Sequence, residues 1–324
     1  MSRTTRRRTL AVLPAALLLA LVPGSASAYP NPGTVTGDIV VHDPSMVRTS
    51  SGQYLLYSTG DNLQLRTSTD RTAFGRSGSA FGTPPSWWKN YSSASDPWAP
   101  DISFRGGKYL MYYAVSSFGS NTSAIGLAGS TTGQPGSWTD YGTVYTSNAS
   151  SDYNAIDPNL FVDDDGKWWL SFGSWWTGIK MIRIDPSTGK QYAGDTARRS
   201  LASRPTGTKA VEAPTVVKRN GYYYLFASYD TCCAGTSSTY KVKVGRATSV
   251  TGPYKDRNGV SMLSNGGTSV LESHGRYIGP GGQSVLADSD GDLLVYHYYD
   301  GQDNGTPKLG VNLLNWSSGW PVAY

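Results

Sequence analysis

Five copies of one β-hairpin sentence restrict what this chain can fold into more than any other feature. The copy NAIDPNLFVDDDGKWWLSFG, beginning at Asn154, reads as an apolar lead-in, an acidic residue before proline, a short strand, a polar turn at Asp165-Gly166 and a second, aromatic strand. That is how a β-hairpin is written in sequence. The other copies are HDPSMVRTSSGQYLLYS from His42, WAPDISFRGGKYLMYYA from Trp98, EAPTVVKRNGYYYLFAS from Glu212 and GPGGQSVLADSDGDLLVYH from Gly279. Aligned on Pro44, Pro100, Pro158, Pro214 and Pro280, they step by 56, 58, 56 and 66 residues. A period that steady marks one architectural unit copied around a fold. Each hairpin is followed by a more variable tail with room for two further strands, as in the stretches from Ser123 to Asp140 and from Tyr240 to Asp256. The expectation is all-β: a five-bladed β-propeller with four-stranded blades.

The first 28 residues stand outside this repeat. Arg3, Arg6, Arg7 and Arg8 precede an apolar run from Leu10 to Val22 and a small-residue end, Ala26-Ser27-Ala28. This is the pattern of a secretory signal peptide, too short and wrongly flanked for a membrane span. The arginines fit a Sec or a twin-arginine signal equally. Residues 29–324 are then one mature propeller domain, secreted and extracellular, with no membrane association. Taking the signal's four arginines from the 28 basic residues leaves 24 against 23 acidic ones, a net charge of +1. No nucleic-acid partner is implied. The two cysteines, Cys232 and Cys233, are adjacent; in an oxidising compartment they form either a vicinal disulfide or buried thiols.

In a propeller the first strand of each blade lines the central channel, so residues beside the five prolines should converge. Those residues are Asp43, Asp101, Asp157 and Glu212, with only glycines and Gln283 in the fifth copy. Like charges gathered on one pocket floor raise at least one pKa. A carboxyl pair with separated pKa values is what glycoside hydrolysis requires. Asp101, which opens a strand, has a structural alternative as a cap on a neighbour's backbone. His42 either orients Asp43 or packs. His297, ending the fifth inner hairpin, is expected either on the substrate wall or as a core histidine. Trp98, Phe118, Trp175 and Trp176 lie next to the acid positions and suit stacking on sugar faces. The Asp163-Asp164-Asp165-Gly166 run looks like a calcium loop, but the same slot in the other copies holds turn residues, so it reads as a hairpin turn.

The motifs HDPSMV, WAPDIS, YYAVSSFGSNTSAIGLA, NAIDPNLFVDDDGKWWLSFGS, VEAPTVV and FASYDTCCAG resemble the endo-1,5-α-L-arabinanases of glycoside hydrolase family 43, and the resemblance spans the mature chain. It implies an inverting hydrolase acting on α-1,5-linked L-arabinofuranose in plant cell-wall arabinan and arabino-oligosaccharides. Asp43 would be the general base, Glu212 the general acid and Asp157 the carboxylate that tunes and holds the acid. Inversion implies carboxyls about 6.5–9.5 Å apart. Trp98 and Phe118 would stack on sugar near the cleaved bond, with Ser174 and Trp175 further along the cleft. One departure concerns a central calcium ion. Many bacterial members carry a histidine in a GPGH segment, where this chain has Gly282, as in GPGG-type members. No metal is required by an acid and a base that are both carboxyls; a central calcium ion stays open, with His297 the one nearby substitute for the missing histidine.

Two other readings stand beside this one. An exo-acting arabinanase or arabinofuranosidase would differ only in loops that close one end of the cleft. A non-catalytic sugar-binding propeller would repeat its binding residues in every blade, and the unequal acid slots argue against it. The protein is expected to be a monomer.

Overall fold

The computed structural model describes Met1 and residues 29–324 except residue 95, so the signal peptide expected at the N-terminus lies almost wholly outside the described residues. Five antiparallel blades follow one another in sequence. Blade 1 holds β1 (Thr36–Gly37), β2 (Ser45–Arg48), β3 (Tyr54–Ser58), β4 (Gln64–Ser68) and β5 (Ala73–Ser79). Blade 2 holds β6 (Trp98–Arg105), β7 (Lys108–Val115), β8 (Ser123–Ser130) and β9 (Trp138–Ser147). Blade 3 holds β10 (Asn159–Val162), β11 (Trp168–Phe172), β12 (Ile179–Ile184) and β13 (Arg199–Ala202). Blade 4 holds β14 (Val211–Arg219), β15 (Tyr222–Tyr229), β16 (Lys241–Ala247) and β17 (Thr268–Leu271). Blade 5 holds β18 (Tyr277–Asp288), β19 (Gly291–Asp300), β20 (Thr306–Asn315) and β21 (Val322–Ala323).

The five-bladed expectation holds, with two local differences. Blade 1 gains a fifth strand, β1, which pairs parallel with β5. The Tyr240–Asp256 stretch supplies only β16; Pro253, which has no amide to give a ladder, ends that region as a turn, and β17 comes later. The hairpin turns behave as their residues dictate: Gly106-Gly107 and Asn220-Gly221 both adopt left-handed backbone, which a two-residue turn between right-twisting strands requires.

Middle strands are sandwiched between neighbouring blades. They therefore read as continuous apolar runs, YLLYS in β3 and KYLMYYAV in β7, whereas outermost β9 alternates. Five apolar clusters fill the five blade interfaces, for example Leu55, Met111 and Trp88 between blades 1 and 2, and Met181, Val211 and Leu225 between blades 3 and 4.

Among the described residues, closure uses no strand shared between the first and last blades. The N-terminal segment instead bridges them, with Leu309 N–H donating to the Ile39 carbonyl at 2.9 Å while β1 pairs with β5. Asp288 of blade 5 is buried between Arg48 and Arg71 of blade 1, at 3.2 and 2.9 Å, and takes a hydrogen bond from Tyr54 Oη at 2.6 Å. Asp288→Ala should cost about 2 kcal/mol by leaving these donors without their charged acceptor. A thermal melt should drop by several degrees; an unchanged melt would mean that these pairs add nothing to closure.

Beneath the channel mouth a ring of hydrogen bonds joins each blade to the next. Ser45 Oγ accepts from Ile102 N, Asp101 from Leu160 N, and Asn159 Oδ1 from Val216 N; Thr215 Oγ1 donates to the Gln283 carbonyl and Ser284 Oγ to the Pro44 carbonyl. These five residues occupy one position in all five blades: they pair across the inner hairpin with Tyr57, Tyr112, Ser171, Phe226 and Val295.

Candidate active site

The ring fixes the register of the site above it. One residue upstream of the clasping position lie Pro44, Pro100, Pro158, Pro214 and, in blade 5, Gln283. Sequence alignment on Pro280 therefore misplaces the fifth copy by three residues. Gly279 and Gly281-Gly282 let the backbone of β18 carry two register shifts, which a proline count does not register.

The residue before each of these positions has left-handed backbone: Asp43 (φ 47°), Ala99 (43°), Asp157 (55°), Ala213 (50°) and Gly282 (56°). Non-glycine residues adopt this conformation at a cost, and a proline following makes it rarer still. Strain concentrated at the convergence point of five blades marks a functional position. This backbone turns the side chains of Asp43 and Asp157 into a cleft of about 990 Å³, and the preceding position adds His42, Trp98, Ile156 and Glu212 to its lining. Three of the four sequence-predicted carboxylates thus meet there. Asp101 does not. Its carboxylate is buried as the blade 2 clasp, accepting from Leu160 N at 2.8 Å and Asn159 Nδ2 at 2.9 Å, so its structural alternative is the observed one.

The three carboxyls have different surroundings. Burial alone would raise the Asp43 pKa, but the charge and hydrogen bond of His42, with His297 and Thr59, outweigh it and bring it down to about 2. His42 Nδ1 lies 2.8 Å from Asp43 Oδ2 and Thr59 Oγ1 donates to the same oxygen at 2.9 Å. Glu212 is held above its ordinary value by burial and by the Asp43 charge, against hydrogen bonds from Ser174 Oγ at 2.6 Å and Tyr240 Oη at 2.8 Å. Asp157 is pushed well above the carboxylate range by burial first, then by Glu212 and Asp43. It accepts from Ala213 N at 3.1 Å, which ties it to the backbone amide next to Glu212. One carboxyl lowered beside others raised is the separation of proton affinities that an acid–base pair requires.

Trp98, Phe118, Ser174, Trp175 and Trp176 all line the cleft. Phe118 is 85% exposed, and Trp175 and Trp176 have consecutive left-handed backbone, φ 53° and 41°. Bulky residues in that conformation are outliers held in place for a surface they present. His297 is corrected: it is fully buried, stacked on His42 with ring centroids 3.7 Å apart, and takes the Asp43 amide on Nδ1 at 3.1 Å. It lies behind His42 and is not on the cleft lining.

The cluster that could hold an ion here is nitrogen-rich, and its His297 Nε2 is buried with no hydrogen-bond partner. A Cβ on Gly282 would stand 2.2 Å from Asp43 Oδ1 and 2.8 Å from His297 Nδ1, so this backbone has no room for a ligand side chain. His297 accepts on Nδ1 and therefore carries its proton on Nε2. Two imidazoles and one carboxylate, the cluster His42, Asp43 and His297, are not the oxygen set calcium selects.

Sequence reasoning missed Thr59, Tyr240 and Tyr299, all on the cleft lining. Thr59 directly follows β3 and Tyr299 lies one residue before the end of β19; reading the ends of the second strands, as well as the starts of the first, would have found both. Tyr240 precedes a third strand and carries no such signal. Cys232 and Cys233 also line the cleft and are joined as a vicinal disulfide, which resolves the two alternatives. Among the described residues no helix is long and apolar enough to cross a membrane.

Compared with known proteins, the chain matches the family described as "Glycosyl hydrolases family 43" over residues 33–321. It is 46% identical over 325 residues to the extracellular endo-alpha-(1->5)-L-arabinanase 1 of Bacillus subtilis, with 98% of each chain covered. Among solved structures it is similar to an endo-arabinanase from Bacillus licheniformis, at 47% identity and TM-score 0.83, covering 89% of this chain and 99% of that one. It is similar at 36% identity and TM-score 0.84 to an exo-1,5-α-L-arabinanase from a bovine ruminal metagenomic library, covering 89% of this chain and 99% of that one. With near-complete coverage and a propeller whose three cleft carboxylates come from three blades, the chain belongs to glycosyl hydrolase family 43.

Proposed function

We propose that this protein is a secreted endo-1,5-α-L-arabinanase that hydrolyses arabinan and arabino-oligosaccharides with inversion, as a monomer and without a metal. The observation that carries the reading is the opposite perturbation of two carboxyls in one cleft: Asp43, paired with His42, is lowered to about 2, and buried Glu212 is raised above its ordinary value. Glu212 donates its proton to the oxygen of the leaving sugar while Asp43 takes a proton from the water that attacks the opposite face. Asp157 accepts from the backbone amide next to Glu212 and so holds that acid in place. The exposed faces of Phe118, Trp175 and Trp176 supply sugar-stacking surface. Endo action follows the naming of the 46–47% identical relatives, ahead of the exo enzyme at 36%.

The test is incubation of the mature protein with linear arabinan, debranched arabinan and xylan side by side, with and without a chelator. A ladder of arabino-oligosaccharides that survives chelation is expected. A single small product from the outset would mean exo action, hydrolysis of xylan alone would overturn the substrate, and loss of activity on chelation would overturn the metal-free mechanism.

A further inference from the structure

The cleft lining contains a chain of hydrogen bonds that the reaction as described does not use. The Cys232–Cys233 bridge forms a tight turn in which Cys233 has left-handed backbone, φ 62°. That turn aims the Cys233 amide at Tyr299 Oη, 2.8 Å away. The same hydroxyl lies 2.9 Å from His42 Nε2, and the other ring nitrogen of His42 lies 2.8 Å from Asp43 Oδ2. A tyrosine hydroxyl has one proton to give. With the Cys233 amide on its acceptor side, that proton turns to Nε2 of the neutral His42 ring, and to the cationic ring the same oxygen offers its second lone pair. Either way a proton is on Nδ1, pointing at the Asp43 carboxylate.

We propose that Tyr299 is a positioning residue for the general base: held by the amide of the Cys232–Cys233 turn, it fixes the His42 tautomer that donates to Asp43 and keeps that carboxylate ionised and aimed. The proposal rests on the arabinanase reading with Asp43 as base. Asp43 is faced by His42, by His297 from β19, by Glu212 from β14 and by Asp157, and Tyr299 hydrogen-bonds only His42 among these. Without the hydroxyl, the neutral ring is free to place its lone pair against the carboxylate and the cationic ring loses its Nε2 acceptor, so the charge and hydrogen bond that lower the Asp43 pKa are less firmly held.

The experiment compares Tyr299→Phe, the double variant Cys232→Ser/Cys233→Ser and their combination, on arabino-oligosaccharides across pH. Tyr299→Phe should lower kcat roughly 10- to 100-fold, the scale of one hydrogen bond to a charge. KM should change little, and the acid limb of kcat/KM should move up by about one pH unit. The serine pair should act in the same direction and less, and the combination should add nothing to Tyr299→Phe, because both act through one hydroxyl. A wild-type acid limb in Tyr299→Phe, a change in KM alone, or additive effects would each overturn the proposal.

Should Tyr299→Phe not fold, the wild-type enzyme answers the same question. Cys232 and Cys233 are the only cysteines. A small-molecule dithiol reduces their bridge, passing two electrons and two protons to the sulfurs and becoming a cyclic disulfide itself. Activity should fall with the same limb shift and return on reoxidation; reduction without effect would reject the role of the turn. Asp43→Asn on the same substrate separates the two readings: if it keeps activity the base assignment fails, and if it is inactive while Tyr299→Phe is wild-type only the relay fails.

Discussion

Glu212→Gln should lower kcat on arabinan by roughly 10²–10⁴-fold, the usual worth of a general acid, while leaving the propeller intact. The amide is isosteric; its oxygen accepts from one of the Ser174 and Tyr240 hydroxyls, which donate to different Glu212 oxygens, and its NH2 donates to the oxygen of the other. What it lacks is the proton. An aryl arabinofuranoside with an acidic phenol departs without protonation, so the loss on that substrate should be far smaller. The variant should also lose the alkaline limb of the rate profile, which in the wild type follows Glu212 ionising above its ordinary value. Stability moves the other way. Because the folded-state pKa is raised, the carboxyl's contribution is complete below its unfolded value and is lost as pH rises through the folded one. The substituted amide does not ionise and has no such loss, so the variant should melt above the wild type at neutral pH. Full activity on arabinan would remove Glu212 from the acid's role.

Asp43→Asn should produce a loss of the same order, roughly 10²–10⁴-fold, with a different signature. Water activation is needed whatever the leaving group, so an acidic phenol gives no relief. Asparagine tolerates left-handed backbone nearly as well as aspartate, so φ 47° at this position is no obstacle to folding. The wild-type acid limb should lie well below pH 4, since the carboxyl is held near a pKa of about 2 by its imidazole and hydroxyl partners. A variant that hydrolyses arabinan at the wild-type rate would place the base elsewhere.

The fold was legible because its signal is repeated. Any one of the five hairpins is ambiguous, but five at a near-constant step admit few architectures. Asp43, Asp157 and Glu212 were legible for the same reason, each standing beside a proline whose place in a blade is known. The misplacement of Pro280 shows the limit of that method: glycine-permitted bulges in β18 insert residues without changing the appearance of the motif. Asp101 was ambiguous because a carboxylate that caps a neighbouring strand and one that lines the cleft stand only two residues apart in register, on either side of the proline. His297 and Tyr299 belong to the second strand of blade 5, where their partners, His42 and Asp43, are more than 250 residues away in sequence.

The clasps between blades have a bearing on how such an enzyme fails. Pro44, whose carbonyl receives Ser284, is bonded directly to Asp43, and Thr215, which grips blade 5, lies three residues from Glu212. Wear at this collar would misalign proton donor and acceptor before any blade came free, so turnover is a more sensitive gauge of the collar than melting.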